Sequence, residues 1–152
     1  MVLWYDAITL MRVLGLDVGD RHIGIALSDA LGLTAQRLTL LTRRTQLEDV
    51  ETIAALAAQH GASAIVVGLP LMMSGKAGVQ VTKVRAFAAA LERRVGVPIQ
   101  WMDERLTTVQ GTRALLELNT SRRKRKHMID QVAAQLILQQ FLDQARRPES
   151  PA

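Results

Sequence analysis

The chain has 152 residues, a length typical of one domain with a single core. It contains no cysteine, which excludes disulfide bridges and thiolate zinc sites and is typical of a reducing compartment. The formal net charge of +5 equals that of one run of five cations at 122–126 (RRKRK), which indicates local contact with an anionic partner. Residues 1–10 (MVLWYDAITL) have no basic leader and are too short to span a bilayer, so we expect a cytoplasmic protein with an N-terminal extension of unassigned role.

Three strands and a helix are predicted first. Apolar runs at 12–16 (RVLGL) and 23–28 (IGIALS) flank a turn-rich segment and predict a β-hairpin, and 37–41 is a third, weaker strand. Thr45 stands three residues before Glu48, which is the spacing of a reciprocal N-terminal cap and predicts a helix. The apolar positions of this helix recur at helical spacing and are Leu47, Val50, Ile53, Ala54 and Ala57. Gly61 is expected to end the helix.

Strands and helices then alternate. The segment 64–70 (AIVVGLP) is almost entirely apolar, as expected of a strand covered on both faces. Apolar residues at helical spacing predict a helix that ends near Gly96, and 97–104 (VPIQWMDE) is the fifth strand. We expect Trp101 on this strand to lie in the core.

Two helices separated by the basic run are predicted for the C-terminal part. Thr107 and Gln110 have capping spacing and open a helix to about Leu118. We predict a loop at 122–126 and a last helix from about His127. The resulting domain organisation is an extension at 1–10, an α/β domain with a mixed five-stranded sheet at 11–145, and a flexible tail at 146–152.

Three acidic residues stand where functional groups gather in α/β domains. Asp17 ends the first strand, Glu104 ends the fifth, and Asp130 lies in the first turn of the predicted last helix. If these elements are neighbours, the carboxylates converge and suit Mg²⁺ or Mn²⁺, two of which, roughly 4 Å apart, can clamp the attacking and leaving oxygens of a phosphodiester. Adjacent strand residues face opposite sides, so we favour Glu104 over Asp103. Structural explanations stay open for each acid: a turn, an ion pair of Asp103 with Arg105, or a helix dipole.

Four segments together carry a family resemblance. They are 14–29 (LGLDVGDRHIGIALSD), 66–78 (VVGLPLMMSGKAG), 103–108 (DERLTT) and 122–142 (RRKRKHMIDQVAAQLILQQFL). In this order they resemble the RuvX/YqgF family, whose members have a ribonuclease H-like fold and are described as nucleases that process the 5′ end of pre-16S rRNA or resolve four-way DNA junctions. The resemblance implies Asp17, Glu104 and Asp130 as catalytic and metal-binding residues.

The chain departs from the related RuvC-type resolvases at two positions. Those enzymes carry a glutamate at the end of the fourth strand and a second aspartate in the last helix, where this chain has Gly68 and Ala133. A smaller ligand set binds a second ion less tightly, so we expect metal occupancy to depend on phosphate oxygens of the substrate.

The basic run is the strongest predicted contact with nucleic acid. Five adjacent cations repel one another, and phosphates that replace water and counterions relieve the repulsion. A solvated loop is the alternative explanation. Aromatic residues make up only 3% of the chain, which favours recognition of backbone and shape over base stacking. The predicted nucleic-acid contacts are Arg122, Arg123, Lys124, Arg125, Lys126, Lys76 and Arg21.

The loop after the fourth strand, GLPLMMSGK, is not a P-loop. Six residues separate Gly68 from Gly75, and Ala77 stands where Ser or Thr would bind Mg²⁺. Ser74 and Lys76 either offer donors to a substrate phosphate or belong to an ordinary connection.

The sequence therefore predicts a nuclease dependent on Mg²⁺ or Mn²⁺, with structured RNA or branched DNA as partner and no membrane. Processing of the 5′ end of pre-16S rRNA is the first interpretation, and a Holliday junction resolvase acting as a dimer is the second. A non-catalytic nucleic-acid-binding module is the third. Monomer and homodimer both stay open.

Overall fold

The computed structural model describes residues 12–109, 111, 112, 115, 118 and 122–146, with the helix backbone alone at 122–128 and 130. The elements are β1 (Arg12–Val18), β2 (His22–Ser28), β3 (Ala35–Thr42), α1 (Gln46–Gln59), β4 (Ala62–Leu69), α2 (Val79–Arg94), β5 (Ile99–Asp103), a 3-10 turn (Glu104–Leu106) and α3 (Arg122–Arg146). The predicted extension at 1–10, much of the predicted helix at 107–118 and residues 147–152 of the predicted tail at 146–152 lie outside the described residues. Arg146, the first residue of that predicted tail, is instead the last residue of α3.

The five strands form one mixed sheet in the order β3-β2-β1-β4-β5. β1, β2 and β3 pair antiparallel, whereas β1, β4 and β5 run parallel, because α1 and α2 return the chain to the same end of the sheet. The predicted hairpin, the mixed sheet and its three antiparallel strands are confirmed.

Side chains alternate between two helical layers. Leu14 and Leu16 of β1 pack in the cluster formed with α1 and α2, and Val13 packs in the cluster formed with α3. Gly15 also faces α3, since a Cβ there would meet Leu138. The period of two along a strand therefore puts position 17 on the α3 side of β1.

The predicted start and end of α1 are confirmed. The Thr45 hydroxyl oxygen accepts a hydrogen bond from the Glu48 amide (3.1 Å), and Gly61, just past the helix, has a φ of +65°. Leu47 does not join the core: it is 72% exposed and borders an open groove beside Leu41 of the edge strand β3.

Helix α3 runs antiparallel to β1. Its C-terminal Arg146 donates from Nη1 to the Leu33 carbonyl (2.7 Å), in the loop before β3 and therefore at the end of the sheet where β1 begins. Gln139 reaches the same end, because its side-chain oxygen accepts from the Ala35 amide (2.9 Å). The N-terminal half of α3 accordingly lies toward the carboxyl ends of β1, β4 and β5.

The basic run is helical, and the prediction of a loop at 122–126 is wrong. Helix α3 begins at Arg122, not near His127. Lysine and arginine are good helix formers, and no glycine or proline interrupts the sequence between 122 and 146. Asp130 is therefore the ninth residue of α3, and the helix-dipole explanation no longer applies to it because that effect fades within the first turn.

Trp101, like Leu47, does not lie in the core as predicted. It is 42% exposed, because β5 is an edge strand and pairs only with β4.

Within the described ranges, none of the helices combines the length and apolarity needed to cross a bilayer.

Candidate active site

Asp17 and Glu104 line one cavity of about 230 Å³ at the carboxyl ends of the parallel strands. Asp17 is 6% exposed and Glu104 is 2% exposed. Acidic side chains are almost never buried to this extent unless other groups compensate the loss of hydration, so two in one cavity indicate a functional site. The other lining residues are Val18, Gly19, Asp20, Gly68, Pro70 and Gln80.

The adjacent acidic residues Asp103 and Glu104, at the end of β5, face different directions. Asp103 is the last strand residue and accepts a hydrogen bond from the Arg105 amide (2.9 Å), which starts the 3-10 turn. Glu104 follows Met102 at the strand period of two, and Met102 packs in the α3 cluster. Glu104 consequently enters the cavity with Asp17, whereas Asp103 does not line it.

Asp103 forms the predicted ion pair with Arg105. The guanidinium contacts the carboxylate through Nη2 (2.6 Å) and Nε (3.0 Å). The hydrogen bonds from Arg105 lower the pKa of Asp103 below the ordinary aspartate range. A structural role therefore accounts for Asp103.

We expect the stabilising effect of this pair to depend on pH. The folded-state pKa of Asp103 is lowered, so the contribution is fully present above the unfolded value of about 4 and is lost as pH falls through the folded value. Arg105→Gln should lower the free energy of unfolding only slightly at pH 7, since both side chains are partly exposed. Urea unfolding of both proteins at pH 7, 5 and 3 measures this, and a difference that grows on acidification would contradict the assignment.

Gly68 lies between Glu104 and α3. A Cβ at this position would overlap the Ile137 side chain and lie 3.4 Å from Glu104 Cγ. Glycine therefore lets β4, α3 and the glutamate approach closely. An acidic side chain at position 68 would therefore require Ile137 to move.

The remaining predicted site residues stand around the same end of the sheet. Arg21 is exposed in the turn after β1, and Lys76 is exposed in the loop after β4. The backbone of 122–126 opens α3, and Asp130 lies in the helix one turn before Ala134. The side chains of 122–126 and Asp130 lie outside the described residues. Among those that are described, no three His, Asp or Glu residues are close enough to hold a metal ion.

Sequence reasoning missed the network that holds the turn beside Asp17. Arg43 donates from Nε to Asp49 Oδ2 (2.8 Å) and from Nη1 to the Gly19 carbonyl (2.9 Å). Asp49, which sequence reasoning did not single out, is buried in the first turn of α1. Gln80 of α2 also binds this turn, donating to the Val18 carbonyl (3.3 Å). The bonds to the Gly19 and Val18 carbonyls join residues 24 and 62 positions apart, so no local signal marks them.

Comparison with known proteins identifies the family. A sequence model of the RuvX family, described as Holliday junction resolvase, matches residues 11–144. The chain belongs to the RuvX family. A relative from Moorella thermoacetica, provisionally named a pre-16S rRNA nuclease, is 52% identical over 133 residues, covering 88% of this RuvX chain and 95% of the relative. One from Myxococcus xanthus with the same provisional name is 46% identical over 140 residues, covering 92% and 93%.

Solved structures share the fold of this RuvX chain. RuvC of T. thermophilus, in complex with a Holliday junction substrate, has a TM-score of 0.52 at 18% identity and covers 87% of this chain and 93% of its own. The fowlpox virus Holliday junction resolvase has a TM-score of 0.52 at 11% identity and covers 88% and 99%. These likenesses establish the fold, and the expected ribonuclease H-like architecture is confirmed.

Proposed function

We propose that this RuvX-family chain is a divalent-metal-dependent nuclease that hydrolyses phosphodiester bonds in structured nucleic acid, with the 5′ end of pre-16S rRNA as its substrate. The observation that carries the proposal is the burial of Asp17 and Glu104 in one cavity at the carboxyl ends of parallel strands. Ligands bind at this edge in open α/β sheets. A role in rRNA maturation also supports action in the cytoplasm.

Asp130 is proposed as the third acid of this site on the placement of its backbone. Gly15 of β1 faces Ala134 and Leu138, and Asp17 lies two residues, about 7 Å, farther toward the carboxyl end. Helix α3 runs antiparallel to β1, so a step back along the helix goes in the same direction as a step forward along β1. Position 130 therefore lies about 6 Å from Ala134 in the direction of Asp17. Helical spacing of four puts 130 and 134 on the same helix face.

Mg²⁺ or Mn²⁺ fits the donors that the site offers. Carboxylate oxygens are the ligands of such hard cations, and a bound cation offsets the loss of hydration that burial imposes on acidic side chains. When bound, such an ion activates water and stabilises the charge that develops on the phosphate. Asp17 on the central strand and Asp130 on α3 would hold it, and Glu104 would complete the ligand set and orient the attacking water.

The proposed reaction needs no covalent link to the protein. Water adds to phosphorus as the ester bond breaks, and the leaving oxygen takes up a proton, so that one diester and one water give a phosphate monoester and a hydroxyl. The described part of the cavity presents acids and amides, and no cysteine exists in the chain to act as a nucleophile.

The names of the relatives favour RNA as the substrate, and the family description supports a second candidate. Relatives at 46–52% identity are provisionally named pre-16S rRNA nucleases, whereas the family model is described as a Holliday junction resolvase. Symmetric resolution of a four-way junction needs two active sites in one complex, but trimming of an RNA end needs one. Sedimentation of the chain with each nucleic acid therefore distinguishes them, since a single protomer on a bound junction would contradict resolution.

A cleavage panel tests the proposed function. A labelled pre-16S rRNA 5′ end and a four-way DNA junction are each incubated with Mg²⁺, Mn²⁺ or chelator. We expect metal-dependent cutting of the RNA, a loss of more than about 100-fold in Glu104→Gln, and at most a few-fold loss in the neighbouring control Asp103→Asn. Binding of both substrates without any cutting would instead identify a non-catalytic module.

A further inference from the structure

A second cavity, of about 340 Å³, lies on the other side of the turn that follows β1. It shares the lining residues Val18, Asp20 and Gln80 with the cavity that holds Asp17 and Glu104, which we call the acid cavity, so the two cavities are neighbours. We call the second cavity the basic cleft. Its remaining lining residues are Arg43, Arg44, Gln46, Lys83 and Ala86, from the end of β3 and from α1 and α2.

Three cations face the basic cleft, and only one of them is firmly neutralised. Arg43 pairs with the buried Asp49 (2.8 Å). Arg44 is exposed, and the structure gives its side chain no ion pair with a described residue. Lys83 contacts Asp20 at 3.2 Å, but both side chains are more than half exposed, and such pairs contribute little. A phosphate can therefore displace Asp20 from Lys83 at small cost.

The cleft is partly preorganised for an anion. Arg43 is fixed by Asp49, by the Gly19 carbonyl and by the Phe87 ring, 5.0 Å below its guanidinium. Among the described residues, none accepts a hydrogen bond from its Nη2 atom. Side chains that are already ordered lose less conformational entropy when a ligand binds.

We propose that the basic cleft binds a backbone phosphate of the nucleic acid, within about three nucleotides of the phosphodiester in the acid cavity. This inference rests on the proposed nuclease function for the identity of its ligand. Only the turn 18–20 separates the cavities, a span of at most about 10 Å, or about three nucleotide steps along a duplex axis. The bound nucleic-acid strand would pass from the basic N-terminus of α3, over Asp17, to the side of the sheet that α1 and α2 cover.

Salt-dependent binding tests the basic cleft separately from cleavage. Affinity for the rRNA 5′ end and for the four-way junction is measured with Mg²⁺ in the Asp17→Asn background, with and without Arg44→Gln/Lys83→Gln. We expect the Arg44→Gln/Lys83→Gln variant to bind about tenfold more weakly at low salt. In a plot of log Kd against log salt concentration, its slope should be smaller by about 0.7 to 0.9 for each phosphate that the variant no longer neutralises. The matched control is Arg85→Gln/Arg93→Gln, which removes the same charge from exposed positions of α2 outside the cleft.

Equal slopes for the cleft variant and the control would overturn the cleft assignment. If the wild-type chain cuts in the cleavage panel while the slopes are equal, the cleft assignment is wrong and the proposed nuclease function stands. If the slopes differ but nothing is cut, the proposed nuclease function is wrong and the cleft assignment stands.

Discussion

Asp17→Asn is expected to reduce metal-dependent cleavage by more than about 100-fold while leaving nucleic-acid binding within a few-fold of wild type. Replacing a residue that only supports a metal ligand lowers metal affinity or activity by up to about 100-fold, and replacement of the ligand itself is expected to lower it more. Asparagine keeps the size of the side chain and removes its charge. Single-turnover cleavage with saturating protein measures the chemical step without the contribution of binding.

The same substitution should not destabilise the metal-free protein. Asparagine has nearly the same size as the buried aspartate that it replaces, and a group held for metal binding is not required by the fold. Urea unfolding in chelator should therefore give an unfolding free energy within about 1 kcal/mol of that of wild type. Cleavage within tenfold of wild type would contradict a catalytic role for Asp17, and a large decrease in stability would show that the acid serves the fold.

Gly15→Ala is expected to lower the free energy of unfolding by about 2–3 kcal/mol. The added methyl would lie 2.7 Å from Leu138 Cβ and 3.3 Å from the Ala134 carbonyl oxygen. Neither atom can turn away as the end of a flexible side chain could, so β1 and α3 must separate. The melting temperature should fall by roughly 5–10 °C, and cleavage should fall with it because α3 carries position 130.

Gly96→Ala is the matched control for this change. No atom lies within 4 Å of a Cβ built at Gly96. The control should be neutral or slightly stabilising, since alanine restricts the unfolded chain. If Gly15→Ala unfolds at the same denaturant concentration as this control, the close packing of α3 on β1 is not as described.

Local patterns predicted those parts of the fold that local interactions determine. The Thr45 cap needs only the amide three residues away, and the fully apolar 64–70 segment indicates a strand covered on both faces. The choice of Glu104 over Asp103 followed from the alternation of strand residues. The structure brings Glu104 and Asp17 into one cavity, but only the positions of the strands in the sheet, with β4 between β1 and β5, could show that.

Misplaced residues have physical causes outside their own segments. Trp101 is exposed because β5 is an edge strand, which its own composition does not indicate. The run at 122–126 resembles a solvated loop by charge, but its residues have high helix propensity and extend α3. The basic cleft joins the segment after β3 to α1 and α2, so it exists only in the folded chain.

Direct measurement of Mn²⁺ binding tests most sharply whether Asp17, Glu104 and Asp130 hold a divalent cation together. Electron paramagnetic resonance would follow free Mn²⁺ in titrations of wild type, Asp17→Asn, Glu104→Gln, Asp130→Asn and the control Asp103→Asn, with and without nucleic acid. We predict that wild type and the control bind Mn²⁺ alike, more tightly with nucleic acid present, and that each site substitution weakens binding at least about tenfold. Equal Mn²⁺ binding by all five proteins, or none by wild type with nucleic acid present, would contradict the account.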